Sequence, residues 1–473
     1  MNFLGFSALT LAISTIPIAI VIVLDNRNPS RTMAWLLILI FLPFIGILFY
    51  LIFGQNHRKK KTFMKKKKQD YRIAQFLKKN RIEYSSQDEL DGSGYDDVRG
   101  HVLPLLMNNG DAPVTVNNSS QVFNNSKAAF DAMLKDIEKA RHHVHMEYFI
   151  VKDSKIGRIF QEMLIKKARE GVEVRLIYDH LGSWQLSKSF VKELDAEGVQ
   201  VKPFQEVTFP FIAAHRFNYR NHRKILVIDG SVGYTGGLNL SDEYLDWRDT
   251  HVRIEGEAVY ELQVIYLRDW NFVSGQELKS SEYFPRISQI DKQLIQVSSS
   301  GPDSEWTAIH QGYFTAITSA VDRVYICTPY LVLDEGTLLA LQTAGLRGVD
   351  VRLLLPAESD HRIVDLASKS YFEELMISGV RIYLYQKGFI HSKIMVADDY
   401  FASIGTTNLN TRSFELDFEV NAFYYDKEMN QQLTVDFFED LKDSSEVEHK
   451  DYQRRALSQR IKESAARLLS PVL

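Results

Sequence analysis

Two short stretches of the sequence carry the same three residue types at the same spacing. The first reads HRKILVID from His222, and the second reads HSKIMVAD from His391. Each contains a histidine, a lysine two positions later and an aspartate five positions after the lysine. The six residues are His222, Lys224, Asp229, His391, Lys393 and Asp398. The same offset of 169 positions (391 minus 222) relates Asn239 to Asn408 further along the chain.

This set of side chains is suited to transfer chemistry at phosphorus. A neutral imidazole is a competent nucleophile, and a second, protonated imidazole can donate a proton to the leaving oxygen. Lysines and asparagines beside the histidines can bind the phosphoryl oxygens. Such a mechanism requires no metal and no cofactor, and the sequence contains no nucleotide-type glycine loop. One such stretch alone fits a strand end with solvated polar residues equally well, but two matched copies favour chemistry.

The strand period determines which motif residues share a face. Residues two apart on a strand project to the same side, so each motif histidine is expected beside its lysine. Asp229 and Asp398 fall on the opposite face of a regular strand. Although they complete the two motifs, we interpret them as structural supports rather than as acids.

The elements around the motifs repeat as well. GVEVRLIYD, which ends at Asp179, matches GVDVRLLLP, which ends at Pro356, and GVQVKPF matches GVRIYLY. Helical and strand-like segments alternate through both halves, a pattern typical of an α/β domain with a mostly parallel sheet covered by helices. The sequence therefore predicts two copies of one α/β domain, packed face to face, over residues 121–275 and 276–473.

The N-terminal part has a different composition. Residues 3–24 and 33–54 contain no charged side chain, and each run is long enough to span a bilayer as a helix. The polar link between them contains Pro29, so residues 1–55 are expected to form a transmembrane hairpin. A signal peptide or a soluble helical hairpin are the competing interpretations.

A strongly basic segment follows the second uncharged run. Residues 57–72 contain nine lysines and arginines, within an expected linker that covers residues 56–120. The positive-inside tendency places this segment and the domains behind it in the cytoplasm. Beside a membrane the basic run is expected to contact anionic lipid rather than nucleic acid. The single cysteine, Cys327, excludes an intramolecular disulfide and fits a reducing compartment.

Two further features are less specific. Arg220 and Arg412 flank the motifs, where they can bind a lipid headgroup or form surface salt bridges. Segment 452–469 carries Leu457, Ile461 and Leu468 at helical spacing. We interpret this segment as a helix that packs on the second domain rather than one that binds a membrane.

The paired motifs resemble those of the phospholipase D superfamily. FNYRNHRKILVIDG, GFIHSKIMVADD, IGTTNLNTRSFELDFEV and the N-terminal RNPSRTMAWLLILIFLPFIGILFYLIFG are similar to bacterial cardiolipin synthases, and the resemblance covers nearly the whole chain. It implies two α/β/α sandwich domains with pseudo-two-fold symmetry behind a plasma-membrane anchor. It also implies that two phosphatidylglycerols give cardiolipin and glycerol through a phosphatidyl-histidine.

The resemblance assigns roles to individual residues. It implies that His222 is the nucleophile and His391 the acid and base, although the nearly symmetric sequence leaves the reverse assignment open. Lys224, Lys393, Asn239 and Asn408 are expected to hold the phosphate. An acidic residue after each motif orients a histidine in the family, commonly that of the opposite copy, which points to Asp249 and Glu419. Ordinary surface carboxylates are the alternative for these two.

Three classes of function stay open at this point. The first is the lipid transphosphatidylase, acting on phosphatidylglycerol or with another acceptor alcohol. The second is a membrane-bound hydrolase or nuclease with water as acceptor, and the third is an inactive scaffold. Intact motifs disfavour the scaffold, and the membrane anchor disfavours the nuclease. The residues do not indicate an oligomeric state or an acyl-chain preference.

Overall fold

The computed structural model of the protein describes residues 15–24, 29–50, 63, 66, 95–110, 112–206 and 218–470. The two uncharged N-terminal runs are therefore described only in part. Of the nine predicted lipid-facing cations in residues 57–72, all except Lys66 lie outside the described residues.

Eighteen strands are assigned within these ranges. In chain order they are β1 (Val114–Thr115), β2 (Asn118–Phe123), β3 (His143–Tyr148), β4 (Glu173–Asp179), β5 (Gln200–Phe204), β6 (Ile225–Ile228), β7 (Val232–Gly236), β8 (His251–Gly256), β9 (Ile295–Ser300), β10 (Arg323–Cys327), β11 (Leu331–Val332), β12 (Asp350–Pro356), β13 (Arg381–Tyr385), β14 (Ile394–Ala397), β15 (Phe401–Gly405), β16 (Leu409–Asn410), β17 (Glu419–Tyr424) and β18 (Ser444–Glu446).

Residues 15–24 are helical, and fifteen further α-helices follow within the same described ranges. They are α1 (Pro29–Phe41), α2 (Pro43–Phe49), α3 (Val98–Gly110), α4 (Ser126–Lys139), α5 (Lys155–Arg169), α6 (Lys188–Ala196), α7 (Ala258–Ser274), α8 (Ala308–Ser319), α9 (Glu335–Leu346), α10 (Arg362–Lys369), α11 (Phe372–Ile377), α12 (Thr411–Glu415), α13 (Lys427–Lys442), α14 (His449–Gln453) and α15 (Leu457–Arg467).

The two large sheets have the same strand order, which confirms the predicted duplication. The first runs β2–β8–β7–β6–β3–β4–β5. The second contains β9–β17–β15–β14–β10–β12–β13 in the corresponding places, with β1 and β18 added at its edges. Each domain of the duplicated chain therefore places its motif residues at the two ends of the equivalent strand, β6 in the first domain and β14 in the second.

The expectation of a mostly parallel sheet is wrong. In the first domain only β3, β4 and β5 pair in parallel, whereas β2, β8, β7, β6 and β3 form an antiparallel series. The reason lies in the connections, because β6 and β7 are joined by three residues rather than by a helix. Asp229 and Gly230 in this turn have φ values of 51° and 64°, a left-handed pair that matches the twist of a tight hairpin.

The motif strands divide their side chains between two cores. On β6, Leu226 and Ile228 pack with the first domain's own helices. Ile225 and Val227 face the other way, into a core that also contains Ile394 and Val396 of β14. The strand period of two thus gives each sheet one face against its own helices and one face against the other domain. The two domains share this central core, so the motif strands are fixed relative to each other.

The expected linker contributes to the second domain. Helix α3 carries buried Val102, Leu103 and Leu106, which join the core of that domain. Strand β1 pairs antiparallel with β9, with Val114 opposite Gln296. Residues 98–110 and 114–115 are thus part of the second sheet and its helical cover, which sequence periodicity alone did not indicate.

The described N-terminal helices pack against each other. Ile22 of the first helical segment, Leu39 of α1 and Tyr50 form a small buried cluster, and the rings of Trp35 and Tyr50 lie 5.5 Å apart. Within the described part of the chain, no single helix has both the length and the apolarity needed to cross a bilayer.

Candidate active site

The histidine and lysine of each motif lie just before their strand, not within it. Strand β6 begins at Ile225 and β14 at Ile394. The residues in front of each strand pair instead with the opposite domain. The amide of His222 donates to the carbonyl of Phe418 at 2.9 Å, and the amide of His391 donates to the carbonyl of Arg248 at 2.7 Å. These reciprocal contacts hold the histidine backbones at the junction of the two domains.

The residue after each of these carbonyls is an acidic side chain directed at the same histidine. His222 Nδ1 lies 2.9 Å from Glu419 Oε1, and His391 Nδ1 lies 2.7 Å from Asp249 Oδ2. Each pair joins one domain to the other, and all four side chains are buried. With Nδ1 held by a carboxylate, the Nε2 atom of each ring is the one available for chemistry.

Both histidines line one cavity of about 520 Å³ between the domains. Asn239 and Asn408 line the same cavity, as do Arg220 and Arg412. Of the ten residues predicted for the site, these two asparagines and two histidines reach the cavity wall. The lysines and the histidine-bound carboxylates lie behind that wall, fully buried.

The two lysines support the histidines from within. Lys224 Nζ donates to the carbonyl of His222 at 2.7 Å. Lys393 Nζ donates to the carbonyl of His391 at 2.5 Å and lies 3.0 Å from both ring nitrogens. Desolvation lowers the pKa of Lys393 to about 8 and holds the pKa of Lys224 well below its usual range. Two cations without exposed surface beside a cavity favour an anionic occupant.

Burial also lowers the pKa of both histidines. Desolvation, with the ammonium groups of Lys224 and Lys393, holds the pKa of His222 well below its usual range. Desolvation and Lys393 lower the pKa of His391 to about 4, while Asp249 acts in the opposite direction. Burial and the neighbouring lysine therefore outweigh the carboxylate, whose own effect favours the imidazolium.

The two carboxylates differ in their electrostatics. Desolvation raises the pKa of Glu419 to about 7 against the opposing effect of Lys224. For Asp249 desolvation also acts upward, but His391 and Lys393 lower the pKa below its usual range. Asp249 is thus ionised at neutral pH, whereas Glu419, with a pKa of about 7, is only partly ionised. This difference breaks the near symmetry of the two motifs.

The asparagines have different surroundings. Asn239 Oδ1 accepts from the amide of Ile150 at 3.0 Å, and its side chain also bonds to the hydroxyl of Tyr244. Asn408 is buried, and its Oδ1 atom has no hydrogen-bond partner within the described part of the chain. A buried amide atom on a cavity wall is a candidate contact for a polar ligand.

The two flanking arginines are not surface ion pairs. Arg220 is buried and lies 3.1 Å from Asp179 Oδ1. Arg412 Nη2 lies 3.3 Å from Asp417 Oδ1 and donates to the carbonyl of Asn218 at 3.1 Å. Desolvation raises the pKa of Asp417 to about 7, so the positive charge of Arg412 is only partly balanced at neutral pH.

Asp229 and Asp398 lie outside the cavity. Asp229 accepts from the amides of residues 141, 142 and 143 at 2.8 to 2.9 Å. Asp398 accepts from the amides of residues 321, 322 and 323, the equivalent turn of the second domain. Each carboxylate therefore ties the turn after its motif strand to the start of the neighbouring strand, β3 or β10.

Sequence reasoning missed an aromatic collar around the histidines. The ring of Phe149 lies 5.0 Å from that of His222. The rings of Tyr244 and Trp247 lie 5.5 Å and 5.4 Å from that of His391. Tyr330 lines the same cavity. In the sequence, Tyr244 and Trp247 lie three residues apart between Asn239 and Asp249, and this spacing could have indicated aromatic rings at the site.

One residue of the basic run is buried behind the site, so the expectation that Lys66 contacts lipid is wrong. Lys66 Nζ lies 3.1 Å from Asp269 Oδ1 and 2.7 Å from Asp303 Oδ2. Phe63, three residues earlier, packs its ring 5.5 Å from that of Phe418, whose carbonyl binds the His222 amide. Phe63 and Lys66 therefore pack into the junction of the two domains behind the cavity.

Two copies of one mixed-sheet domain, with one histidine from each at a shared cavity, define a phospholipase D-type transfer scaffold. Residues 133–270 and 313–441 match the family described as "Cardiolipin synthase, PLD-like domain". Residues 13–55 match "Phospholipase_D-nuclease N-terminal".

Relatives match over nearly the whole chain. A cardiolipin synthase of Geobacillus sp. (strain WCH70) is 44% identical over 100% of this chain and 95% of its own. That of Halalkalibacterium halodurans is 44% identical over 99% and 94%. The protein belongs to the cardiolipin synthase family of phospholipase D-like proteins. The crystal structure of phosphatidylserine synthase from Haemophilus influenzae Rd KW20 has a similar fold, with a TM-score of 0.60 at 13% identity over 79% of this chain and 99% of that one.

Proposed function

We propose that the protein is a phosphatidyltransferase that makes cardiolipin and glycerol from two molecules of phosphatidylglycerol. The observation that carries this proposal is the pair of histidines at one cavity, each with its Nδ1 atom bound to a carboxylate of the opposite domain. This arrangement directs two Nε2 atoms to one space, as a nucleophile and a general acid require. The family relatives named cardiolipin synthases supply the substrate class.

The first step forms a phosphohistidine. His222 Nε2 attacks the phosphorus of the first phosphatidylglycerol, and the bond between phosphorus and the glycerol oxygen breaks. His391, protonated at Nε2, gives its proton to that oxygen, so free glycerol leaves. The phosphatidyl group stays on His222, and no oxidation or reduction occurs.

The second step transfers the phosphatidyl group. The terminal hydroxyl of a second phosphatidylglycerol attacks the phosphorus, and the bond between phosphorus and nitrogen breaks. Neutral His391 accepts the proton of the hydroxyl and regains its initial state. Cardiolipin leaves with the oxygen of the second lipid, and His222 is again neutral.

The electrostatic difference between the two pairs supports His222 as the nucleophile. The pKa of His222 is held well below its usual range, and its partner Glu419 is only partly ionised at neutral pH. His391 lies beside Asp249, whose pKa is lowered. Without substrate the pKa of His391 is about 4. An anionic lipid phosphate that enters the cavity raises this pKa, because opposite charges attract strongly in a buried site, so the imidazolium that acts as the acid forms once the lipid is bound.

The phosphate is held by groups from both motifs. Lys224 and Lys393 provide positive charge behind the histidines, and Asn239 and Asn408 provide amide groups on the cavity wall. Asn408 Oδ1, which has no hydrogen-bond partner within the described residues, can accept from a glycerol hydroxyl of the lipid headgroup. Preorganised groups of this kind stabilise the charge that builds up on the phosphoryl oxygens in the transition state.

The N-terminal segment anchors these domains as a hairpin in the cytoplasmic membrane. Its second arm combines α1 and α2, because helical hydrogen bonding continues across their junction. Leu42 donates to the carbonyl of Ile38 at 2.8 Å, and Gly46 donates to that of Leu42 at 2.6 Å. The arm therefore extends from Pro29 to Phe49 with a bend at Pro43, as expected where a proline removes one donor. The catalytic domains lie on the cytoplasmic side, where the basic run favours them.

Product analysis tests the reaction. The full chain is purified in detergent and incubated with phosphatidylglycerol, and lipids and released alcohol are identified by mass spectrometry. Cardiolipin with an equal amount of glycerol is the expected result. Phosphatidic acid with glycerol means that water is the acceptor, which would overturn the synthase assignment.

Two variants test the roles of the histidines. His222→Ala removes the nucleophile, and His391→Ala removes the acid and base, so each is expected to abolish cardiolipin formation. Asp229→Asn, a motif residue away from the cavity, is the matched control and keeps its turnover. Measurable cardiolipin from either histidine variant would contradict the two-histidine mechanism.

A further inference from the structure

The C-terminal helix α15 presents its apolar side to the outside of the protein. Leu457, Ile461 and Leu468 are 70%, 59% and 82% exposed, although their spacing is that of a packing face. Glu463 and Ala466 are the buried residues on this helix. The expectation that the apolar residues pack on the domain is therefore wrong, because the helix is attached by its opposite side.

Polar contacts attach the inner side of α15. Arg455 Nε lies 2.9 Å from Glu463 Oε2, and Arg455 Nη2 lies 3.0 Å from Glu373 Oε2. The hydroxyls of Ser470 and Tyr371 are 2.9 Å apart, and Arg467 forms an ion pair with Glu374. A surface helix ordinarily buries its apolar stripe and exposes its charges. In α15 this order is reversed, which indicates an apolar partner on the outside.

Cations lie on both sides of the apolar stripe. At about 100° per residue, Leu457, Ile461 and the C-cap residue Leu468 lie within a sector of about 40°. Arg460 lies about 60° from this sector on one side, and Lys462 lies about 100° from it on the other. Both cations are exposed. An apolar stripe flanked by basic side chains is the pattern of a helix that lies in the plane of an anionic lipid surface.

This helix is close to the cavity. It packs against α10, which begins directly after Asp360 and His361, two residues of the cavity wall. Val364 on α10 lines the cavity as well, while its neighbour Ile363 is 53% exposed. The rim of the cavity and the apolar stripe therefore belong to one connected part of the second domain.

We propose that the outer face of α15, formed by Leu457, Arg460, Ile461 and Lys462, lies on the anionic bilayer together with the following residue, Leu468, and holds the cavity at the membrane surface. The proposal rests on the proposed function, in that the substrate is a lipid of that bilayer. The apolar side chains enter the headgroup boundary, and Arg460 and Lys462 pair with lipid phosphates. This contact is additional to the N-terminal anchor.

Depth measurements on the full chain test this contact. Cys327 is buried, so single cysteines at positions 457, 458, 461, 462 and 468 can be labelled selectively with an environment-sensitive fluorophore. The labelled proteins are reconstituted in vesicles of phosphatidylglycerol and phosphatidylcholine that contain spin-labelled lipid. We expect strong quenching at 457, 461 and 468 and weak quenching at 458 and 462. Absent quenching, or quenching without this helical period, would overturn the proposal.

A charge-reversal pair tests the electrostatic part. The double variant Arg460→Glu and Lys462→Glu, with the label at 461, is expected to lose quenching in vesicles rich in phosphatidylglycerol. The control Lys135→Glu and Lys192→Glu makes the same change in net charge at exposed positions of the first domain and keeps the quenching. Equal quenching in both double variants would remove the role of the flanking cations.

Two further readouts separate the proposal from its alternatives. Periodic quenching in a protein that makes no cardiolipin would support the lipid contact and reject the proposed function. Conversely, energy transfer between labels at 461 in detergent, rising with protein concentration and without quenching in vesicles, would assign the stripe to a second copy of the chain and overturn the proposal.

Discussion

Glu419 of the second domain binds Nδ1 of His222 in the first at 2.9 Å. The carbonyl of the residue before Glu419 binds the amide of the same histidine. Two consecutive residues of one domain thus fix both the backbone and the ring of the histidine of the other. Asp249 and Arg248 do the same for His391. Neither motif is complete within its own domain, and the site exists only when the two sheets pack together.

Replacement of either carboxylate is expected to impair catalysis more than stability. In Glu419→Gln and Asp249→Asn the histidine ring loses its carboxylate acceptor, so neither the orientation of the ring nor the proton on Nδ1 is enforced any longer. A fall in kcat of roughly 10² to 10⁴ is expected, by analogy with amide replacement in other histidine–carboxylate pairs. The measurement is cardiolipin formation under saturating phosphatidylglycerol, with KM determined in parallel.

The KM value distinguishes orientation from substrate binding. Both carboxylates lie behind the cavity wall, so KM is expected to change little. A large rise in KM with unchanged kcat would mean that the carboxylates contact the lipid instead of the histidines.

The histidine pKa predicts an acid-sensitive stability. His391 titrates at about 4 in the folded protein against 6.5 in its ordinary state, so the unfolded chain binds the extra proton between these pH values. The buried neutral His391 therefore contributes on the order of 3 kcal/mol to the free energy of unfolding above pH 6.5. This contribution is lost as the pH falls towards 4. His391→Asn removes this loss, so its unfolding midpoint should fall less steeply with acid than that of the parent protein.

Glu419 provides a control of opposite sign. Its pKa is raised to about 7 from 4.5, so the folded state holds a proton that the unfolded chain has lost between these values. Its stabilising contribution is present below pH 4.5 and is lost as the pH rises through 7. The unfolding midpoint of Glu419→Gln should therefore fall more steeply than that of the parent protein as the pH is lowered. Thermal unfolding at pH 4 to 8 measures both variants, and parallel curves would refute the two assignments.

Whereas the resemblance to the phospholipase D superfamily was needed to single out Asp249 and Glu419, the repeated spacing alone predicted the duplication, the six motif residues and the paired asparagines. It could not predict the antiparallel hairpins, because the left-handed turn at Asp229 and Gly230 is a local conformation that the alternation of elements does not reveal. It also could not predict that Lys66 is buried. That burial depends on Asp269 and Asp303, which are more than 200 residues away in the chain. Contacts of this kind follow from packing between domains rather than from periodicity.

The buried position of Lys66 predicts a large effect on stability. Lys66→Ala leaves the carboxylates of Asp269 and Asp303 without this cation in a buried site, and breaking a buried ion pair costs roughly 3 to 5 kcal/mol. Lys135→Ala, an exposed lysine of α4, is the matched control and should change the free energy of unfolding by less than about 0.5 kcal/mol. Chemical denaturation of the full chain in detergent measures both. A Lys66→Ala protein as stable as the control would place Lys66 outside the core.

A chain of polar contacts connects Lys66 to the site. Asp269 binds Arg223, whose Nε atom donates to the carbonyl of Glu419 at 3.2 Å. We expect Lys66→Ala to lower kcat in the fraction that stays folded, because Glu419 loses part of its backbone support. Unchanged kcat with lowered stability would restrict Lys66 to a purely structural role.

The motif aspartates are expected to separate stability from catalysis. Asp229 has a φ of 51° and accepts three backbone amides at the start of β3. Asp229→Ala loses these acceptors and places alanine in a left-handed conformation, so the free energy of unfolding should fall by about 2 to 4 kcal/mol. Asp229→Asn tolerates the conformation and keeps one acceptor oxygen, so its loss should be smaller.

Turnover of the folded fraction should be close to normal in both Asp229 variants, because Asp229 lies outside the cavity. His222→Ala should show the converse, with a nearly unchanged free energy of unfolding and no cardiolipin. Denaturation and turnover measured on the same three preparations decide between the two roles. If Asp229→Asn abolished turnover without any loss of stability, the aspartate would have to act in the chemistry, and its position at the turn after β6 would not explain why it completes the motif.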